Sequence, residues 1–187
     1  MMDHQHKWNK KHRERLEQIK DPIPNPRLMK LSEYLKGGIA LDFACGLGGN
    51  SLFLSRKGYK VQAMDISDVA ITFIQDQAAK YNLPINARQA DLTSLNQKSW
   101  DNQSFDIIVV TYYLDRRIFS MIKKILSSDG YFFMETYYQV PNTVKKGVSD
   151  QYKLKPKELL QEFGDWQVLY YEEDEHEGRQ TIFCRKC

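Results

Sequence analysis

Three acidic residues and one glycine run carry the chemistry legible in this sequence. Asp42 stands four residues before Gly46, in the run Gly46-Leu47-Gly48-Gly49-Asn50-Ser51, and Asp65 and Asp91 follow later, each behind its own apolar stretch. Glycines let a backbone turn tightly and approach a ligand where a Cβ would obstruct it. The N-terminus of the helix expected next offers free N–H groups. A carboxylate at the tip of a second strand can accept both hydroxyls of a ribose, and one at the tip of a third can accept from an exocyclic amine such as that of adenine. Singly, a glycine cluster is a turn and an aspartate an N-cap. Repeated over three successive strand–helix units, they read as a nucleotide site.

The run departs from a dinucleotide fingerprint, G-x-G-x-x-G/A, because Ser51 stands at the third glycine. Asp42 is more telling. A carboxylate there repels a pyrophosphate but pairs with a cationic amino-acid end of the kind S-adenosylmethionine carries. A nicotinamide oxidoreductase is therefore only a residual alternative.

The elements that must position these residues alternate short apolar runs with amphipathic segments, the pattern of an α/β fold on a parallel sheet. Strands are expected at 39–44, 60–64, 86–90, 105–111 and 131–137; the run Ile107 to Val110 suits a strand covered on both faces. Helices are expected at 50–57, from Ser67-Asp68 onward, and at 118–126 with Gly130 near its end. Residues 140–155, with Pro141 and Gly147, read as a loop over the sheet, and Pro156 opens a short helix. Two last strands, 166–171 and 180–185, flank the acidic turn Glu172 to Gly178 and form an antiparallel hairpin. Residues 1–37 read as an N-terminal helical arm and 38–187 as the main body, one globular domain overall.

At 187 residues the chain can bury a proper core. A net charge of +3 is too mild for the usual nucleic-acid footprint, and no stretch approaches the roughly 20 apolar residues a bilayer requires. Three cysteines and a charged start without an apolar core argue for a reducing cytoplasm and against a secretory signal. The sequence sets no further ligands at metal-site spacing from His4, His6 and His12, so no metal is expected.

The stretch ALDFACGLGGNSLFLSRKGYKVQAMDIS closely resembles the first two motifs of class I S-adenosylmethionine-dependent methyltransferases. Within them the chain looks most like the small tellurite-resistance (TehB-like) enzymes, by the early WNKKHRER, YYLDRRIF after the fourth strand and YYEEDEHEGR before the last. The resemblance implies a Rossmann-like three-layer αβα sandwich with a seven-stranded, mostly parallel sheet and an antiparallel last strand. It implies that Asp42, Gly46 and Gly48 line the methionine end, Asp65 holds the ribose, Ile66 packs on adenine, Asp91 and Leu92 contact it, and Ala44, Asn50 and Thr111 also belong to the cofactor site. Ala44 stands where many members have glycine.

Methyl transfer is an in-line displacement, so geometry is the main demand on the protein. The acceptor should lie above the fourth strand's end, at Thr111, Tyr112 and Tyr113. The absence of [ND]-P-P-[YF] there argues against planar amide or exocyclic amino acceptors. Asp115-Arg116-Arg117 is either a solvated helix start or an anion-binding corner. His176 and Arg179 match a His–Arg feature that the resembling family places near the acceptor, while Glu172 to Glu175 reads as a soluble turn. Trp8, Lys11, Arg13 and Arg15 either form a helix closing over the cofactor or a frayed basic terminus.

The resulting expectation is methyl transfer from S-adenosylmethionine, leaving S-adenosylhomocysteine, to a small-molecule thiol or oxyanion such as tellurite. Tyr112, Arg116, His176 and Arg179 are the candidate catalytic residues. The protein is expected to be a monomer or homodimer without nucleic-acid or membrane partners. The alternatives are an RNA or protein methyltransferase and a non-catalytic S-adenosylmethionine-binding protein.

Overall fold

A computed structural model of the chain describes residues 2–18, 21–94, 100, 102–140 and 148–187. Its centre is β4 (Phe105–Thr111), whose Ile107 to Val110 are fully buried because both faces are covered. Beside it runs β1 (Gly38–Phe43), followed outward by β2 (Tyr59–Asp65) and β3 (Ile85–Gln89), all parallel. On the other side lie β5 (Leu126–Tyr137), β7 (Arg179–Arg185) and β6 (Gln167–Asp174). The order is β3-β2-β1-β4-β5-β7-β6, with β7 antiparallel to both neighbours.

The alternation of side chains along each strand builds two cores. Leu41 and Phe43 of β1 and Ile108 and Val110 of β4 face α5 (Ile118–Ile125) and α6 (Glu158–Phe163). Ala40, Ile107 and Val109 face the opposite way, toward Leu54 of α3 (Gly49–Arg56) and Ile71 and Ile74 of α4 (Asp68–Tyr81). The chain therefore switches sheet faces between β1 and β4, and that crevice is where open α/β sheets bind ligands. Ahead of the sheet come α1 (Met2–Gln18), packed against α4, and α2 (Pro26–Lys30), whose Leu28 joins the second core.

Several boundaries differ from expectation. β3 lies one residue earlier. Helix α5 stops at Ile125, and β5 starts directly at Leu126, which is buried and pairs with Phe105. Gly130 therefore lies within β5, beside an irregular stretch where Asp129 adopts a positive φ of 62° and donates to the Lys186 carbonyl. β6 runs on to Asp174, so Glu172 to Asp174 are strand and not turn. Residues 141–147 of the expected loop lie outside the described residues. No helix among the described residues is long and apolar enough to cross a membrane.

Candidate functional site

The glycine loop joins β1 to α3. Gly48 caps α3 in the left-handed region (φ 78°), and a Cβ there would stand 2.6 Å from Ile74 Cγ1, so only glycine fits. Ala44, in place of glycine, holds a positive φ of 59°. Asp42, on the inner face of β1, is fully buried; its Oδ2 accepts from Ser51 Oγ at 2.5 Å, while Oδ1 has no partner. Burial pushes this carboxyl up to about 7, against the opposing bond from Ser51 and with help from the nearby Asp65 charge.

Asp65 closes β2, and its oxygens accept from Gly46 N at 2.9 Å and Ser67 N at 2.9 Å. A carboxylate has about four acceptor positions, so each oxygen keeps one beyond these bonds. Ser67 caps α4 by accepting from Ala70 N. Ile66 is half-buried, Leu92 buried, and Asp91 half-buried with Oδ1 bonded by Thr93. The structure thus gathers Asp42, Gly46 and Asp65 around one loop. An orphaned buried carboxylate oxygen beside glycines fits the cationic end of S-adenosylmethionine.

Helix α1 lies over this loop. Asn9 and His12 are buried, with Asn9 Oδ1 accepting from Ser67 Oγ at 2.6 Å. The residues turned inward are these, whereas Lys11, Arg13 and Arg15 face solvent. Burial lowers the basicity of His12, a shift that the Asp65 charge opposes.

Asn50 links this side to a second cavity. Its Nδ2 donates to Thr111 Oγ1 at 3.1 Å, and its Oδ1 accepts from Asn25 N at 2.8 Å. Asn25 Nδ2 in turn donates to Glu135 Oε1 at 2.7 Å and to Tyr112 Oη at 3.4 Å. The cavity, of about 670 Å³, is lined by Arg27, Tyr112, Glu135, Tyr170, Glu172 and Arg179 among others. Tyr112 leaves β4 with a positive φ of 56°, held by its N–H to the Glu135 carbonyl and its hydroxyl to Glu135 Oε1. Burial and the Glu135 charge push its phenol up to about 12.

Glu135 is buried and also accepts from Thr181 Oγ1 and Arg27 Nη1. Arg27 further binds Glu172, Asp174 and Glu177; burial opposes its charge, but Glu177, Glu172 and Glu135 raise its basicity. The acidic run read as a soluble turn is therefore the far half of an ionic clasp. The Arg179 guanidinium lies 3.7 Å from the Tyr137 ring centre and 4.8 Å from that of Tyr112, with Nη1 buried and unpartnered.

Of the four acceptor-side candidates, Tyr112 and Arg179 come together here. Arg116 is bound to Glu158 at 2.5 and 2.9 Å, His176 is exposed in the β6–β7 turn, and neither lines the cavity. Asn25, Arg27 and Glu135 carry no local motif, and sequence reading passed over them. Among the described residues no group of three or more His, Cys, Asp or Glu is placed to hold a metal.

The chain is similar to known proteins. Hemagglutinin 1 of Eikenella corrodens is 29% identical over 140 residues, covering 71% of this chain and 45% of its own length. A probable S-adenosyl-L-methionine-dependent methyltransferase TehB of Haemophilus influenzae is 29% identical over 145 residues, covering 75% and 50%. This chain thus spans about half the length of the curated relatives it matches. The crystal structure of TehB from Haemophilus influenzae superposes with a TM-score of 0.76 at 23% identity, covering 88% of this chain and 63% of that one. The family described as "Tellurite resistance protein TehB" matches residues 25–182, from the Asn25 junction through both sites to β7, and the chain belongs to that family.

Proposed function

We propose that the protein transfers a methyl group from S-adenosylmethionine to a small molecule held in the cavity at Tyr112. When bound, the donor supplies an electrophilic methyl on sulfur. Asp42, Gly46 and Gly48 would hold its methionine end, Asp65 its ribose, and Ile66, Asp91 and Leu92 its adenine. The observation that carries the reading is the pair of adjoining sites on strands β1 and β4, joined by the Thr111–Asn50–Asn25–Glu135 hydrogen bonds. Such a chain fixes donor and acceptor pockets relative to one another, as an in-line displacement requires.

The acceptor side supports a soft or already ionised nucleophile, a thiolate or an oxyanion such as tellurite. Within the cavity lining, Glu135 is occupied by Asn25, Tyr112, Thr181 and Arg27, and Glu172, Asp174 and Glu177 are each paired with Arg27. Tyr112, raised to about 12, is a donor and not a base. These groups are poorly placed to remove a proton from an alcohol or amine. The unpartnered Arg179 Nη1 suits an oxyanion.

The test is turnover of labelled S-adenosylmethionine against tellurite, selenite and small thiols, with S-adenosylhomocysteine release as readout. Turnover with none of these, alongside methylation of RNA or protein, would favour a second reading. That reading draws on the exposed Lys7, Lys10, Lys11, Arg13 and Arg15 of α1. Donor binding with no turnover on any acceptor would point to a non-catalytic binding protein.

A further inference from the structure

Helix α1 places one side chain where no motif predicts it. His12 is 2% exposed, and its Cε1 lies 3.4 Å from the position a Cβ on Gly46 would take. Its Nδ1 is buried and has no hydrogen-bond partner. On β1, just ahead of the glycine loop, Asp42 Oδ1 is also buried and also without a partner. Native interiors seldom leave such atoms unmatched, and an unmatched group in a cleft calls for an explanation. Two beside one loop, one on a carboxylate and one on an imidazole, call for a ligand that carries both an acceptor and a donor.

The ring is held in place before any ligand arrives. Trp8 stacks on it at 5.8 Å between ring centres and 26° between planes. Asn9, three residues before it, is pinned to Ser67 at the start of α4. A histidine serving only to fill the interior would have both nitrogens bonded or turned to apolar neighbours of its own helix. This one is aimed at Gly46, which has no side chain of its own.

We propose that His12 is a donor-binding residue whose Nδ1–H takes the carboxylate of the methionine end, while Asp42 Oδ1 takes the ammonium. The inference rests on the reading that the glycine loop holds S-adenosylmethionine. It adds the partner that Asp42 cannot be: a carboxylate attracts the ammonium of an amino acid but repels its carboxylate. Placing a hydrogen-bond donor across Gly46 matches both ends of the zwitterion.

The test uses two ligands that share the nucleoside and differ in the amino-acid end. Titration calorimetry on the full chain is run with S-adenosylhomocysteine and with 5′-methylthioadenosine, which lacks that end. His12→Phe keeps the stack on Trp8 and removes the N–H. It should weaken S-adenosylhomocysteine about ten-fold or more and leave 5′-methylthioadenosine within two-fold. His12→Asn, whose amide nitrogen stands near the position of Nδ1, should retain more affinity than His12→Gln, whose amide reaches the position of Nε2. These two polar variants decide the matter even where the phenylalanine variant fails to fold. Equal losses for both ligands, or no loss for either, overturn the proposal. Failure of the wild-type protein to bind either ligand overturns the donor site itself, a result that no His12 variant could produce.

Discussion

Asp42→Asn should make the ligand-free protein more stable while impairing its site. The wild-type carboxyl is fully buried, bonded by Ser51 and flanked by no cation that bonds it. Its raised position, from 3.8 in an open chain to about 7 when folded, means the unfolded state ionises first. For a raised acid the stabilisation is whole below about 4 and is lost as pH rises through about 7. At about 1.4 kcal/mol per pH unit, that gap amounts to about 4 kcal/mol as an upper bound. Relaxation around a buried charge lowers the net figure, and about 2 kcal/mol is expected at pH 8. For a chain of 187 residues that corresponds to a Tm about 4–8 °C higher in the variant. Asparagine keeps the volume and the acceptor for Ser51 and never ionises. Urea denaturation of both ligand-free proteins between pH 5 and pH 8 should show the wild type losing stability relative to the variant as pH rises. S-adenosylhomocysteine affinity should fall in the variant. Parallel stability curves, or a variant less stable at pH 8, would refute the assignment of a buried, uncompensated carboxylate.

Further outcomes follow from other contacts. Asp65→Ala should weaken S-adenosylhomocysteine at least ten-fold by calorimetry, since it removes the acceptor offered to the ribose. Arg27→Ala leaves Glu135 buried with one donor fewer and frees Glu172, Asp174 and Glu177. A loss of about 2 kcal/mol in urea denaturation is expected, concentrated on Glu135, with a higher acceptor KM. Asn25→Ser keeps a side-chain cap for α2 but loses the bonds to Glu135 and Tyr112; kcat should fall with the fold intact, whereas Asn25→Ala should also cost about 1 kcal/mol of stability. Gly48→Ala meets Ile74 and an unfavourable φ, so a loss of about 1–3 kcal/mol is expected by thermal denaturation.

The strands and caps around the glycine loop were legible because their signals are local. Phe105 to Thr111 reads as a buried strand from its unbroken apolar run, and that is β4 as found. Ser67 reads as a cap from its place just before Asp68, and it accepts from Ala70. Asp42 and Asp65 stand at strand tips because short apolar runs end there. The rest is written in contacts that skip most of the chain. Nothing near Arg27 announces that its guanidinium meets Glu172 and Asp174, and nothing near Glu135 distinguishes it from a solvent-facing strand residue. Helix α1 falls in the expected helical arm, but its inward face was obscured for a different reason: it is built on Asn9 and His12, so hydrophobic spacing has little to register. Gly130 misled by resembling a helix stop, when a buried Leu126 had already drawn the backbone into the sheet.

The Arg27 clasp also sets an order of events during synthesis. Gly46 and Asp65 are 19 residues apart and Ser51 and Asp42 only 9, so the contacts of the glycine loop are local in the chain. Arg27 must wait 145 residues for Glu172, 147 for Asp174 and 150 for Glu177. Contacts of such separation form late, after most of the loop-closure entropy has been overcome. A chain stalled before the final hairpin therefore lacks Tyr170, Glu172, Asp174, Glu177 and Arg179, which line the cavity at Tyr112.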